Sequence, residues 1–265
     1  MTGNHEAFQK AMSAGVSAAW DQAWDQAAGF YRQALEEFPD HPQALTSLGL
    51  ALLEMKEYEQ ALAVYQHAAA VTPTDPVPPE KLARLYERQG RLREAIAASI
   101  QAADLYLKGK DADKAIENWI RVLSLQPENL TVRTRLAMVY ERLGRRKEAV
   151  GEYLAAASLL QHGGDLAKAM QLAEYALQLL PGSPEAQQAL TMLRTNQPLP
   201  KPSRPKGGTG PVRMAGVRQL EAPPDAPVKT LDPIAEARQR ALVRLAAKAS
   251  GMPGTRSVQG QRIGA

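Results

Sequence analysis

The sequence predicts an all-α fold: a right-handed superhelical array of helix–turn–helix repeats, followed by a flexible basic C-terminal tail. Three observations predict it. Small and bulky apolar residues recur at fixed spacings from residue 8 to residue 194. Alternation of β-branched residues never persists beyond a few positions, so strands are not signalled. Charge and composition change together near residue 195: residues 1–194 hold 20 Lys/Arg and 24 Asp/Glu, whereas the remainder holds 12 and 4 and is crowded with proline and glycine. A body of net charge −4 thus precedes an extension of +8 within the overall +4.

The repeats are clearest over 42–75, where Leu45, Leu48, Gly49 and Leu52 mark one helix and Ala61, Tyr65, Ala68 and Pro73 a second. Gly49 and Ala61 allow two helices to approach, Tyr65 fills the space beside them, and Pro73 ends the unit because it cannot continue a helix. The preceding unit, 8–41, carries Gly15, Ala27, Tyr31, Ala34 and Pro39 at the matching places. Beyond residue 76 two frames overlap. Leu82, Ala83, Tyr86, Gly90 and Ala95 start one unit, while Ala102, Ala103, Tyr106, Ala115, Trp119 and Pro127 need another that starts at Ile96. The helix over 92–108 must then be the second of one hairpin and the first of the next, with Ile96, Ile100, Ala103 and Leu107 buried. The whole set recurs 54 residues later at Leu136, Ala137, Tyr140, Gly144, Ala149, Ala169 and Pro181. Val150, Leu154, Ala157 and Leu160 should be buried there. The organisation expected is a repeat domain over 1–194, made of two regular units (8–75), a duplicated three-helix module (76–181) and a half-polar capping helix at about 184–194, eleven helices in all. A Pro/Gly-rich linker should follow over 195–231. Asp232 and Pro233 then start a short amphipathic helix over 232–250, with Ile234, Ala237, Ala241, Leu242 and Leu245 on one face. The end, 251–265, reads as disordered.

These residues closely resemble the tetratricopeptide repeat (TPR), a 34-residue helix–turn–helix unit that stacks into an α-solenoid. The resemblance covers 8–194, and the first unit departs from it where Ala11 and Ala14 replace larger residues. It implies a concave surface lined chiefly by the first helix of each unit, binding a peptide or helix of a partner protein. The expected function is therefore a cytoplasmic protein–protein interaction adaptor or scaffold. On that face the candidate contact residues are Gln43, Thr46 and Leu50, then Arg84 and Glu87, then Thr134, Met138 and Glu141. Family members that grip the C-terminal carboxylate of Hsp70 or Hsp90 use Lys and Asn residues at positions held here by Met12, Val16, Ser47 and Glu80. Only Arg84 fits that clamp, which argues against an Hsp70/Hsp90 tail as ligand.

Other chemistry is not signalled. With no cysteine, disulfides, thiolate metal sites and cysteine nucleophiles are excluded. His5, His41, His67 and His162 stand at no ligand-like spacing, so no metal is expected. Lys206 to Pro211, KGGTGP, lacks the Gly-Lys-Ser/Thr ending of a phosphate-binding loop. Asn129 opens a glycosylation sequon that matters only in a secreted chain, and the N-terminus shows no secretory signal. Trp20, Trp24 and Trp119 read as packing anchors. The residues form no catalytic constellation, so neither an enzyme nor a cofactor is expected, and no window is apolar enough to span a membrane. The basic turn at Arg142, Arg145, Arg146 and Lys147 reads as a solvated face. The alternative function is a regulatory or nucleic-acid-associated factor acting through the basic tail. No aromatic follows Tyr175, so that tail has nothing to stack on bases.

Overall fold

The computed structural model describes residues 3–204; the expected helix at 232–250, its final stretch and the linker beyond 204 lie outside the described residues. Within them eleven helices follow one another: α1 His5–Trp20, α2 Trp24–Glu37, α3 Pro42–Glu54, α4 Tyr58–Val71, α5 Val77–Arg88, α6 Leu92–Lys108, α7 Ala112–Leu125, α8 Leu130–Arg142, α9 Arg146–His162, α10 Leu166–Leu179 and α11 Pro184–Arg194. Each packs on its sequence neighbours, as in a one-dimensional stack.

Helix starts and stops follow from local chemistry. Asn4, Asp111, Asn129, Asp165 and Ser183 accept backbone N–H bonds at the N-termini of α1, α7, α8, α10 and α11. Six reversals share one device. Gln22, Lys56, Gly90, Lys110, Gly144 and Gly164 all take positive φ, between 58° and 86°. The N–H of the next residue returns five positions, as from Glu57 to Leu52 and from Arg145 to Tyr140 at 2.9 and 2.8 Å. Gly144 has open space where a Cβ would be, so its requirement is conformational alone. Gly144→Ala is expected to lower stability by about 1 kcal/mol, the left-handed penalty less the entropy removed from the unfolded chain. Lys110→Gly, at the equivalent turn, should raise it by about 0.5 kcal/mol. Chemical denaturation of the two variants checks both signs.

Close approach sets the first two hairpins. A Cβ at Gly15 would lie 2.6 Å from the Tyr31 ring, and one at Gly49 would lie 2.7 Å from the Tyr65 ring. The core then runs as three clusters in series, and two 17-residue helices join them. Ala98 of α6 belongs to the first cluster, whereas Ala102, Ala103 and Tyr106 belong to the second. Val150 and Tyr153 of α9 lie in the second, and Ala157 in the third. Both helices are uninterrupted. Burial along them differs from expectation: Ala103, Val150 and Ala157 are buried, but Ile96, Ile100, Leu107, Leu154 and Leu160 are only half-buried. A helix sandwiched between two others puts alanine on its central line, so the longer side chains are pushed to the edges. Trp119 is buried and Trp24 half-buried, but Trp20 is 59% exposed at the end of α1 and belongs to none of the three core clusters.

The segment read as the start of a linker is packed. After α11 the chain turns through Asn196 at φ 55°, and the Gln197 N–H returns to Met192 at 2.7 Å. The same reversal that elsewhere starts a helix cannot do so here, because Pro198, Pro200 and Pro202 forbid one. Residues 197–203 instead cross α9 as an extended strap.

Candidate functional site

The expected contact residues lie along α3, α5 and α8, but they are not equally free. Leu50 is 40% and Met138 49% exposed, and Gln43 is exposed about two turns before Leu50 on α3. Thr46 and Thr134 spend their hydroxyls on the carbonyls of Pro42 and Leu130, at 3.0 Å each, within their own helices. Arg84 is exposed and paired with Glu80 at 2.8 Å, one turn back. Glu87 and Glu141 act as struts. Glu87 pairs with Arg121 of α7 at 2.8 Å. Glu141, its counterpart in the second module, accepts from Tyr153 and Tyr175 at 2.8 and 2.7 Å. Burial, reinforced by the Glu141 carboxylate, pushes the Tyr153 hydroxyl well above its usual range. For Tyr175 the bond to Glu141 is the main cause of a rise. Leu50, Arg84 and Met138 occupy one repeat place, for residues 16, 50, 84, 138 and 192 are spaced by 34 or 54, and every one of them except Arg84 is apolar. Val16, 40% exposed, extends it onto α1, beside a recess of about 320 Å³ formed with Phe8, Met12, His41 and Gln43.

A second feature was missed by the sequence reading. A cavity of about 610 Å³ lies between α9, α11 and the strap, lined by Leu154, Ser158, Ala189, Met192 and residues 199–204 among others. The Gln161 side-chain amide grips the strap's backbone twice: its Oε1 accepts from the Leu199 N–H at 2.7 Å and its Nε2 donates to the Gln197 carbonyl at 2.8 Å. The Ser158 hydroxyl donates to the Pro200 carbonyl at 2.8 Å. Arg133 of α8, 3% exposed, donates to the carbonyls of Ser203 and Pro127 at 3.1 and 2.8 Å and pairs with Glu152 at 2.7 Å. Burial raises the Glu152 carboxyl above its usual range, and Arg133 pulls it back only in part. Leu199 itself is 5% exposed, packed in the third cluster. A signal for this groove was present in the sequence. Reading α9 in its second frame, as the first helix of a hairpin, places Leu154, Ser158 and Gln161 where Thr134, Met138 and Glu141 stand on α8.

The histidines have separate local roles. The His41 Nδ1 lies 3.4 Å from the Ala44 N–H at the start of α3, and His5 packs on Phe8 and Phe38. His67 meets Asp40 at 2.7 Å, and His162 bonds the Ser158 carbonyl at 2.8 Å. Among the described residues no helix is long and apolar enough to cross a membrane.

Hairpins that bury their faces mainly on sequence neighbours, and leave Val16, Leu50, Arg84 and Met138 exposed at one repeat position, are those of a helical-repeat scaffold. Residues 21–78 and 100–161 each match a family model described as the tetratricopeptide repeat. This chain is a tetratricopeptide-repeat protein, a kind that is in general a non-catalytic scaffold. It is similar to Superkiller protein 3 of Schizosaccharomyces pombe, 30% identical over an alignment 130 residues long that covers 44% of this chain and 9% of the relative. The chain thus spans less than a tenth of that relative's length. Among solved structures, a type III secretion complex from Aeromonas hydrophila is 15% identical with a TM-score of 0.45, over 47% of this chain and 83% of the other. The translocator chaperone SycD of Yersinia enterocolitica is 16% identical with a TM-score of 0.39, over 42% and 87%.

Proposed function

We propose that the chain is a cytoplasmic adaptor or scaffold that binds a peptide or helix of a partner protein along the concave face of its repeats. The contact line runs through Gln43, Thr46 and Leu50, then Arg84 and Glu87, then Thr134, Met138 and Glu141. The observation that carries this reading is the exposure of Leu50 and Met138 at one repeat position, since large apolar side chains held in solvent mark binding surfaces when they line up. In this reading Leu50 and Met138 make the apolar contact, Gln43 and Arg84 its polar rim, and Glu87 and Glu141 hold the helices that present them. Thr46 and Thr134 contribute their methyl groups.

The test is affinity capture with mass spectrometry, using full-length protein and the Leu50→Asp/Met138→Asp variant side by side. The variant should lose the proteins that the wild type captures while keeping its helical signal and melting curve. Undiminished capture by a well-folded variant would reject this face. The charge of +8 on residues 195–265 supports the alternative, a nucleic-acid-associated factor. That reading requires a salt-dependent nucleic-acid complex that survives the same two substitutions.

A further inference from the structure

We propose that the strap at residues 197–203 is an internal competitor, occupying a peptide groove between α9 and α11 that also takes an extended, proline-bearing segment of a partner. The proposal rests on the adaptor reading and adds a second, gated surface to it.

The groove reads main chain. Three side chains from two helices, Gln161, Ser158 and Arg133, contact four groups of the strap's own peptide units, one N–H (Leu199) and three carbonyls (Gln197, Pro200 and Ser203). None of these contacts depends on a strap side chain, so another extended segment can make all of them. Proline suits three strap positions because Pro198, Pro200 and Pro202 bring no N–H that would need a partner. Leu199 is buried and Pro202 half-buried, while Pro198, Pro200 and Lys201 are exposed. An inward residue every third position is the period of a polyproline II helix, which is largely ordered before it binds. The incoming segment is therefore of the form Leu-Pro-x-Pro. The cavity of about 610 Å³ left beneath the strap leaves room for a side chain larger than leucine at the Leu199 place.

The competition is set by tethering. Only Thr195 and Asn196 separate α11 from the strap, so its effective concentration is on the order of millimolar or above. A partner segment must exceed that by filling the cavity or by engaging the array elsewhere at the same time.

The experiment uses a fluorescent peptide of residues 195–204 added to full-length protein. Leu199→Asp should unseat the strap, because it would put a carboxylate where the leucine side chain is buried in an apolar cluster. Pro198→Gly/Pro200→Gly should loosen it without touching the array. Each opened variant is expected to bind the peptide about tenfold or more tightly than the wild type does. Adding Ser158→Ala and Gln161→Ala to either opened variant should abolish saturable binding. Equal binding to wild type and opened variants would show that the strap gates nothing. Absence of binding to both opened variants, with helical signal and melting retained, would show that the groove has no affinity for such a segment. Either result overturns this proposal and leaves the Leu50/Met138 surface to be judged by its own variant.

Discussion

Gly49→Leu is expected to destabilise the array by about 3 kcal/mol, near the upper end of what overpacking usually does. At this site even a methyl group would sit 2.7–2.9 Å from three atoms of the Tyr65 ring. The ring has little room to retreat, since Tyr65 is almost fully buried between α3, α4 and the helices beside them. Relief must come from separating α3 from α4, which opens the cluster that Leu48, Leu52 and Leu62 share. Equilibrium denaturation should show the loss, and Tyr65→Leu in the same chain should return part of it, giving a large coupling energy between the two sites. Strict additivity of the two changes would mean that the close approach does not set the spacing.

Arg133→Ala should be as damaging, at about 3–5 kcal/mol, for an electrostatic reason. The substitution leaves the Glu152 carboxylate, itself mostly buried, without its cation and strips the Pro127 and Ser203 carbonyls of a donor. Replacing both partners by methionine removes the uncompensated charge, so the double variant is expected to lie within about 1 kcal/mol of wild type. Amide exchange gives a second readout: the Leu199 N–H should lose protection in Arg133→Ala. The pair also has a pH signature. Burial holds the Glu152 carboxyl above its ordinary value of 4.5 in the folded chain, so the folded state binds this proton more tightly than the unfolded state. The contribution of Glu152 is therefore most favourable below that ordinary value and declines as pH rises through it towards the raised one. Compared with Glu152→Gln, the wild type should lose relative stability over that interval, and a relative gain would contradict the burial.

The fold was legible because its signals are local and repeated. Glycine opposite tyrosine in the first two hairpins, and the 54-residue echo from Leu82 to Leu136, are patterns a sequence displays directly. Burial along α6 and α9 was less legible. An alanine line flanked by Ile96, Ile100 and Leu107 looks like a single apolar face until a helix is known to lie on each side. The open positions Leu50 and Met138 follow from repeat register alone. That Glu87 and Glu141 are engaged by Arg121 and Tyr175 does not, because those partners lie 34 residues away on another hairpin. The strap was hidden for a different reason. Proline-rich composition says that residues 197–203 cannot form a helix, but not that Gln161, Ser158 and Arg133 are placed to hold their backbone.

The joining of core clusters through α6 and α9 bears on how the molecule comes apart. Where repeats meet only through side chains, each junction can open alone; here two junctions run through the middle of a continuous helix. Fraying from the C-terminal side that releases α11 and α10 removes the third cluster together with Ala176 and Ala186 of the second, and can then stop at the midpoint of α9, where Val150 and Tyr153 still share that cluster with Val139 and Tyr140 of α8. The next stop lies in α6, between Ala98 and Ala102. Native-state amide exchange should thus divide α6 and α9 internally, with distinct opening energies for the two halves of one helix, so that the steps of unzipping fall inside secondary-structure elements rather than at the turns between them.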